Sequence, residues 1–169
     1  APTFVNVPSD ITVECSAIPA AANVTATDNC DTNLNVIFNE SITSGCPYTI
    51  TRTWNVTDEC NNTILVIQNI YVEDTTNPIL FGVPSNIAVE CDETPPVANV
   101  TATDNCTSEL TVNFFENTWG GICPYNITRT WIATDECGNS AVGTQTIMVY
   151  DNTPPVLAGV PSDLTVECD

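Results

Sequence analysis

The chain has 169 residues, 43% of them hydrophobic, with 21 acidic side chains, two basic ones (Arg52 and Arg129), no Lys and no His. The formal net charge of −19 repels phosphate backbones and anionic lipid, which argues against nucleic acid and favours divalent cations or basic surfaces as partners. Without His or Lys the commonest general base and the amine nucleophile are missing, so the chain reads as non-enzymatic.

No apolar run approaches the roughly 18 residues of a membrane span. No signal peptide is visible either; in a secreted protein it would be removed or lie outside this segment. Nine cysteines in a His-free chain, with neighbours 14 or more residues apart, suit disulfides rather than zinc, and disulfides imply an oxidising, extracellular compartment.

The sequence repeats itself. "VPSDITVEC" (7–15) returns as "VPSNIAVEC" (83–91) and "VPSDLTVEC" (160–168). "ANVTATDNC" recurs at 22–30 and 98–106, and "CPYTITRTWNVTDEC" (46–60) recurs as "CPYNITRTWIATDEC" (123–137). The period is 76 residues and then 77, the extra residue falling between Glu116 and Cys123. The expected units are residues 1–76, 77–153 and the opening of a third repeat, 154–169. Cys168 is the counterpart of Cys15 and Cys91. Its expected partner is the third repeat's counterpart of Cys46 and Cys123.

In chain order, short alternating runs rich in Val, Ile and Thr predict strands near 3–7, 11–15, 22–28, 34–41, 48–57 and 63–73, with equivalents one period on. The chain is therefore expected to be all-β. The runs 34–41 and 48–57 form a hairpin in which Val36 faces Val56, Phe38 faces Trp54 and Glu40 faces Arg52. The second repeat gives Val112 with Ala133, Phe114 with Trp131 and Glu116 with Arg129. Arg52 shares the parity of Ile50, Trp54 and Val56, so it points inward and needs a partner. The expected structural ion pairs are Glu40–Arg52 and Glu116–Arg129.

Strand direction then sorts the cysteines. If 11–15 runs down to Cys15, Cys46 shares that lower end, while Cys30 and Cys60 share the upper one. A Cys15–Cys30 bond would span a strand of about 25 Å. The expected pairing is Cys15–Cys46, Cys30–Cys60, Cys91–Cys123 and Cys106–Cys137, two staples for each small repeat.

"VPSDITVEC", "TATDNC", "TRTWIATDECGN" and the "DTTNP" junction together resemble the hyalin-repeat (HYR-like) modules found in tandem in large cell-surface and gliding-type adhesins of Bacteroidota. The resemblance covers essentially the whole chain. It implies an immunoglobulin-like β-sandwich, repeated every 77 residues or so, and an extended rod.

The last strand of repeat one delivers Asp74 to the upper loops of repeat two, which hold Asp104, Asp135 and Glu136. These four are the candidate ligands of a Ca²⁺ ion, with Asp151 in the same place one repeat on. The alternative is that these acids cap turns. Glycosylation sequons stand at Asn23, Asn39, Asn55, Asn61, Asn99, Asn105 and Asn126, and Asp74-Thr75-Thr76 resembles a short O-glycosylation signal.

The main functional reading is a stalk or filament spacer of a secreted or surface adhesin or extracellular fibre. Its partners are neighbouring repeats and like chains in a fibre. A glycan- or protein-binding adhesion module is the alternative, with Trp119 as contact residue, and a non-covalently polymerised filament subunit is the remoter one. An exposed Trp119 favours binding; a packed one favours the spacer.

Overall fold

The computed structural model describes residues 1–167, so the expectation for Cys168 lies outside the described residues. Repeat one contributes β1 (Thr3–Val5), β2 (Ile11–Glu14), β3 (Thr25–Thr27), β4 (Ile37–Ile42), β5 (Tyr48–Thr57) and β6 (Thr63–Glu73). Repeat two contributes β7 (Ile79–Phe81), β8 (Ile87–Glu90), β9 (Thr101–Thr103), β10 (Val112–Gly120), β11 (Tyr125–Thr134) and β12 (Ser140–Tyr150). A single 3-10 turn follows β2 at Cys15–Ala17.

Each repeat faces a four-stranded sheet (β2-β6-β5-β4, then β8-β12-β11-β10) with a two-stranded one (β1-β3, then β7-β9). The chain is all-β, built of two tandem sandwich-like repeats. Within the larger sheet β2 lies parallel to β6, and β6, β5 and β4 alternate in direction.

Strict alternation makes this core. Ile50, Arg52, Trp54 and Val56 of β5 are buried while the threonines between them are partly exposed, the period of a strand with one face inward. Ile50, Ile70 and Val72 pack with Ile11, Val13 and Tyr48. Ile127, Ile147 and Val149 repeat the arrangement with Ile87, Val89 and Tyr125. Above each cluster a tilted aromatic pair, Phe38–Trp54 or Phe114–Trp131, sits with ring centroids 5.4 or 5.5 Å apart.

The hairpin register places Phe38 opposite Trp54 and Glu40 opposite Arg52. It also places Val112, Phe114 and Glu116 opposite Ala133, Trp131 and Arg129. Val36 is different: β4 begins at Ile37, after a turn in which the Asn33 N–H donates to Asp31 Oδ1 at 2.8 Å, so the ladder holds no Val36–Val56 pair. The strand expected over 22–28 shortens to Thr25–Thr27, because its partner β1 is only three residues long.

The arginines form a polar layer inside each sandwich. Arg52 Nε donates to Glu40 Oε2 at 2.7 Å and Nη2 donates to the Pro19 carbonyl at 2.8 Å. Arg129 Nε donates to Glu116 Oε2 at 2.7 Å, and its other nitrogens reach the Pro96 and Pro95 carbonyls. Gln68 and Gln145, opposite the arginines, donate to the Ser9 and Ser85 carbonyls at 2.8 and 2.9 Å and so tie the loop before β2 or β8 to the sheet.

Residues 151–167 form no strand. Val156, Leu157 and Leu164 match Ile79, Leu80 and Ile87 by sequence yet stand 90%, 83% and 85% exposed. β7 pairs with β9 and β8 with β12, both later in the same repeat, and residues 154–167 contain no such partner.

Candidate junction site

The lower end of repeat one rests on the upper end of repeat two, and the cysteines pair across that joint. The disulfides are Cys15–Cys106 and Cys46–Cys137, with Cα atoms 5.8 and 5.0 Å apart. This corrects the expected pairs Cys15–Cys46 and Cys106–Cys137. Each expected pair does share one end of its sandwich. The following repeat brings a second pair to the same place, and each cysteine bonds to the one that faces it across the joint. Among the described residues Cys30, Cys60, Cys91 and Cys123 are exposed thiols, so the Cys30–Cys60 and Cys91–Cys123 bonds are not formed either. The Asn105 amide lies over the Cys15–Cys106 bridge, 3.0 Å from Cys106 Sγ and 3.6 Å from Cys15 Sγ.

Beside the bridges lies the acid cluster. Carboxylate oxygens of Asp74, Asp104 and Asp135 fall within 4.8 Å of one another. Asp74 and Asp135 are each 7% exposed. Short-range turn bonding explains part of the arrangement. Asp104 Oδ1 accepts the Cys106 and Thr107 N–H groups at 2.8 and 3.0 Å. Asp74 Oδ1 accepts the Thr76 N–H at 3.0 Å. Asp135 closes the β11–β12 loop by accepting the Asn139 N–H at Oδ1 and its amide at Oδ2. The Asn139 amide also donates to the Asp74 carbonyl at 2.9 Å, binding the loop to the preceding repeat.

Turn bonding leaves two oxygens unexplained. Asp74 Oδ2 and Asp104 Oδ2 are buried without a hydrogen-bond partner. Burial pushes the Asp74 carboxyl above the ordinary carboxylate range, and the charges of Asp104, Asp135 and Glu14 push the same way, against the Thr76 N–H. The equivalent acids at the top of repeat one are Asp28 and Asp58. Asp28 is held below the usual range, first by the Cys30 N–H.

The donor set therefore fits a hard divalent cation: oxygen-only, anionic, convergent, and with buried oxygens that no proton donor satisfies. Glu136, expected among the ligands, does not join this group. Its N–H donates to Thr107 Oγ1 at 3.4 Å and it lines a cleft beside the bridges with Glu73.

Glu14 is the acid that sequence reasoning missed. It lies against Asp74 and clasps the strap after β6, accepting the Thr75 hydroxyl at 2.6 Å and N–H at 3.3 Å. Its signal was its recurrence in "VEC" as Glu90 and Glu167. Asp151 repeats the local geometry of Asp74, accepting the Thr153 N–H at 2.9 Å. Trp119 lies apart from the joint, on β10, 64% exposed.

No family model matches the chain. Over an alignment of 115 positions that covers 63% of this chain, the sequence is 31% identical to an uncharacterized 81.3 kDa protein of Acholeplasma phage L2. The matched stretch spans 15% of that protein's length. Similar solved structures include Drosophila N-cadherin EC1-4, at 12% identity and a TM-score of 0.33, covering 88% of this chain and 50% of that one. Human mucin-like protocadherin EC1-2 matches at 12% identity and a TM-score of 0.35, covering 89% and 98%. The protocadherin GammaB4 extracellular domain matches at 14% and 0.36, covering 95% and 35%. Among the described residues no helix is long and apolar enough to cross a membrane.

Proposed function

We propose that the chain is a non-enzymatic structural segment, a stalk or filament spacer of a secreted or cell-surface adhesin or extracellular fibre of the hyalin-repeat type its motifs resemble. Its units are residues 1–76 and 77–153, with 154–169 opening a third. The observation that carries this reading is the joint itself. Two disulfides cross it, the Asn139 amide grips the Asp74 carbonyl, and "VEDTTNP" connects the repeats without a flexible Gly/Ser stretch.

A Ca²⁺ ion held by Asp74, Asp104 and Asp135 would neutralise the buried charge and stiffen the joint further. Bridges of this kind belong to an oxidising, extracellular setting. Residual dipolar couplings on the oxidised chain test the reading. One alignment tensor for both repeats is expected, splitting into two on reduction; two independent tensors in the oxidised chain would refute it.

One observation favours a binding role alongside. β10 runs nine residues where its counterpart β4 runs six, and the extension carries the exposed Trp119, with Phe115, 54% exposed, on the same side of the strand. A large exposed aromatic pair on an edge strand is suited to stacking on a sugar or packing on a protein. Binding on a glycan or surface-protein array that Trp119→Ala abolishes, with unchanged thermal stability, would establish it. Equal binding by the variant would remove it.

A further inference from the structure

Among the described residues, the four thiols left outside the joint are not scattered. Cys30 and Cys60 line one cleft at the top of repeat one, together with Asp28, Asp31 and Asp58. Cys91 and Cys123 are the counterparts, in repeat two, of Cys15 and Cys46, the cysteines that repeat one offers downward to the existing joint. The top of repeat one thus carries the same cysteines as the top of repeat two, and the bottom of repeat two the same cysteines as the bottom of repeat one.

The surroundings match as well as the cysteines. At the upper faces, Asp58 is held by Asn62 as Asp135 is held by Asn139. Asp28 accepts the Cys30 N–H as Asp104 accepts that of Cys106. Asp31 receives the Glu59 N–H where Thr107 receives that of Glu136. At the lower faces, Glu90 accepts the Asn152 N–H where Glu14 accepts that of Thr75. The two end faces are therefore complementary halves of a joint that the chain already contains once.

We infer that the outer cysteines are half-joints: Cys30 and Cys60 bond to the Cys91- and Cys123-type cysteines of a preceding repeat, and Cys91 and Cys123 bond to the Cys106- and Cys137-type cysteines of a following one. Bonding between unlike faces is head-to-tail and leaves a free face at each end, so the pattern can propagate from repeat to repeat with two disulfides at every joint. Each bond forms from two thiols that lose two protons and two electrons. A small-molecule disulfide such as oxidised glutathione accepts them and leaves as two thiols. The neighbouring repeat is assigned to the same polypeptide, in which residues 154–169 repeat the opening of a module directly after repeat two; a second copy of the chain is the outcome the second arm would reveal. The inference goes beyond the spacer reading, because the existing joint can be rigid even if the outer cysteines close within their own repeats.

Two arms test it. In the first, residues 77–153 are duplicated in register after residue 153, the copy's own Cys91 and Cys123 are changed to serine, and the chain is refolded with reduced and oxidised glutathione. Peptide mapping without reduction is expected to recover Cys91 joined to a Cys106-type peptide and Cys123 to a Cys137-type peptide, with loss of both thiols. Cys91 joined to Cys123 overturns the inference.

The second arm needs no redesign. The 169-residue chain is oxidised at high concentration and run without reducing agent. A ladder whose rungs carry Cys30–Cys91 and Cys60–Cys123 bonds, lost in the Cys30→Ser/Cys60→Ser variant, assigns the neighbour to a second copy. Monomer in which Cys30, Cys60, Cys91 and Cys123 all remain thiols by peptide mapping is the expected result, since neither face then has its neighbour and neither pair closes within its own repeat. Monomer in which Cys30 is bonded to Cys60, or Cys91 to Cys123, overturns the inference here too.

Discussion

Replacing Asp74 by Asn should change stability in opposite directions with and without calcium. In the metal-free chain Asp74 brings a third carboxylate to a buried cluster whose oxygens lie within 4.8 Å. At an effective dielectric near 20, each pair of unit charges at that distance or closer repels by about 3.5 kcal/mol or more before relaxation and screening. Relaxation and screening leave a net gain on the order of 1–2 kcal/mol when one charge is removed and its shape kept. The amide retains the oxygen that accepts the Thr76 N–H. For a chain of this size that gain corresponds to a rise in Tm of roughly 2–8 °C. Saturating Ca²⁺ should reverse the order, since a site filled at about 100 times its Kd adds about 2.7 kcal/mol to the wild type, and the variant loses a ligand.

Thermal unfolding by circular dichroism, in EGTA and in calcium, reads both effects. An Asp74→Asn variant that is less stable than the wild type in EGTA, or that keeps the full calcium shift, would refute the reasoning. The pH dependence has a matching sign. Because the Asp74 carboxyl titrates above its unfolded value, the folded metal-free chain binds that proton more tightly, and this group's contribution to stability grows as pH falls from neutral through its raised pKa. The variant lacks that contribution. Asp28 and Asp58, both held low, act oppositely and only further down, losing stability as pH falls from the ordinary carboxylate range towards their lowered values.

Other outcomes follow from single contacts. Cys15→Ser with Cys106→Ser opens a bridge between residues 91 apart in sequence, which in the chain-entropy treatment costs about 4.6 kcal/mol, and less while the second bridge persists; denaturant unfolding measures it. Arg129→Met removes the donor to Glu116 and to the Pro95 and Pro96 carbonyls. It should cost about 2–4 kcal/mol, mostly from the carbonyls left without a donor, and a smaller loss for Glu116→Gln in the same assay would fit the partial exposure of that carboxylate. Gly143→Val should destabilise repeat two by about 1–3 kcal/mol, because even a Cβ there would meet Val83 Cγ2 at 2.7 Å; the counterpart in repeat one is Val66. Trp119→Ala, at an exposed site, should change stability by under about 0.5 kcal/mol.

Much of the sandwich was legible in the sequence because its determinants are local or recur. The parity of Ile50, Arg52, Trp54 and Val56 shows which side chains face inward, and a two-residue period leaves little freedom in register once Phe38 meets Trp54. An arginine at an inward position requires a carboxylate, and the hairpin offers Glu40. The direction of each strand places Cys15, Cys46 and Asp74 at one end and Cys30 and Cys60 at the other. Even the convergence of Asp74 with Asp104 and Asp135 follows from direction plus repetition. What sequence alone left undecided is which of several close neighbours bonds to which. Four cysteines meet at the joint, and spacing along the chain does not distinguish a partner in the same repeat from one across the interface. That choice belongs to the stacking of one sandwich on the next, which brings Cys106 to Cys15 and Cys137 to Cys46, sets Glu14 rather than Glu136 against Asp74, and leaves Asp74 Oδ2 buried without a donor. Strand periodicity and repeat identity fix the module; the contact between modules, set by three-dimensional distance, fixes its covalent and ionic chemistry.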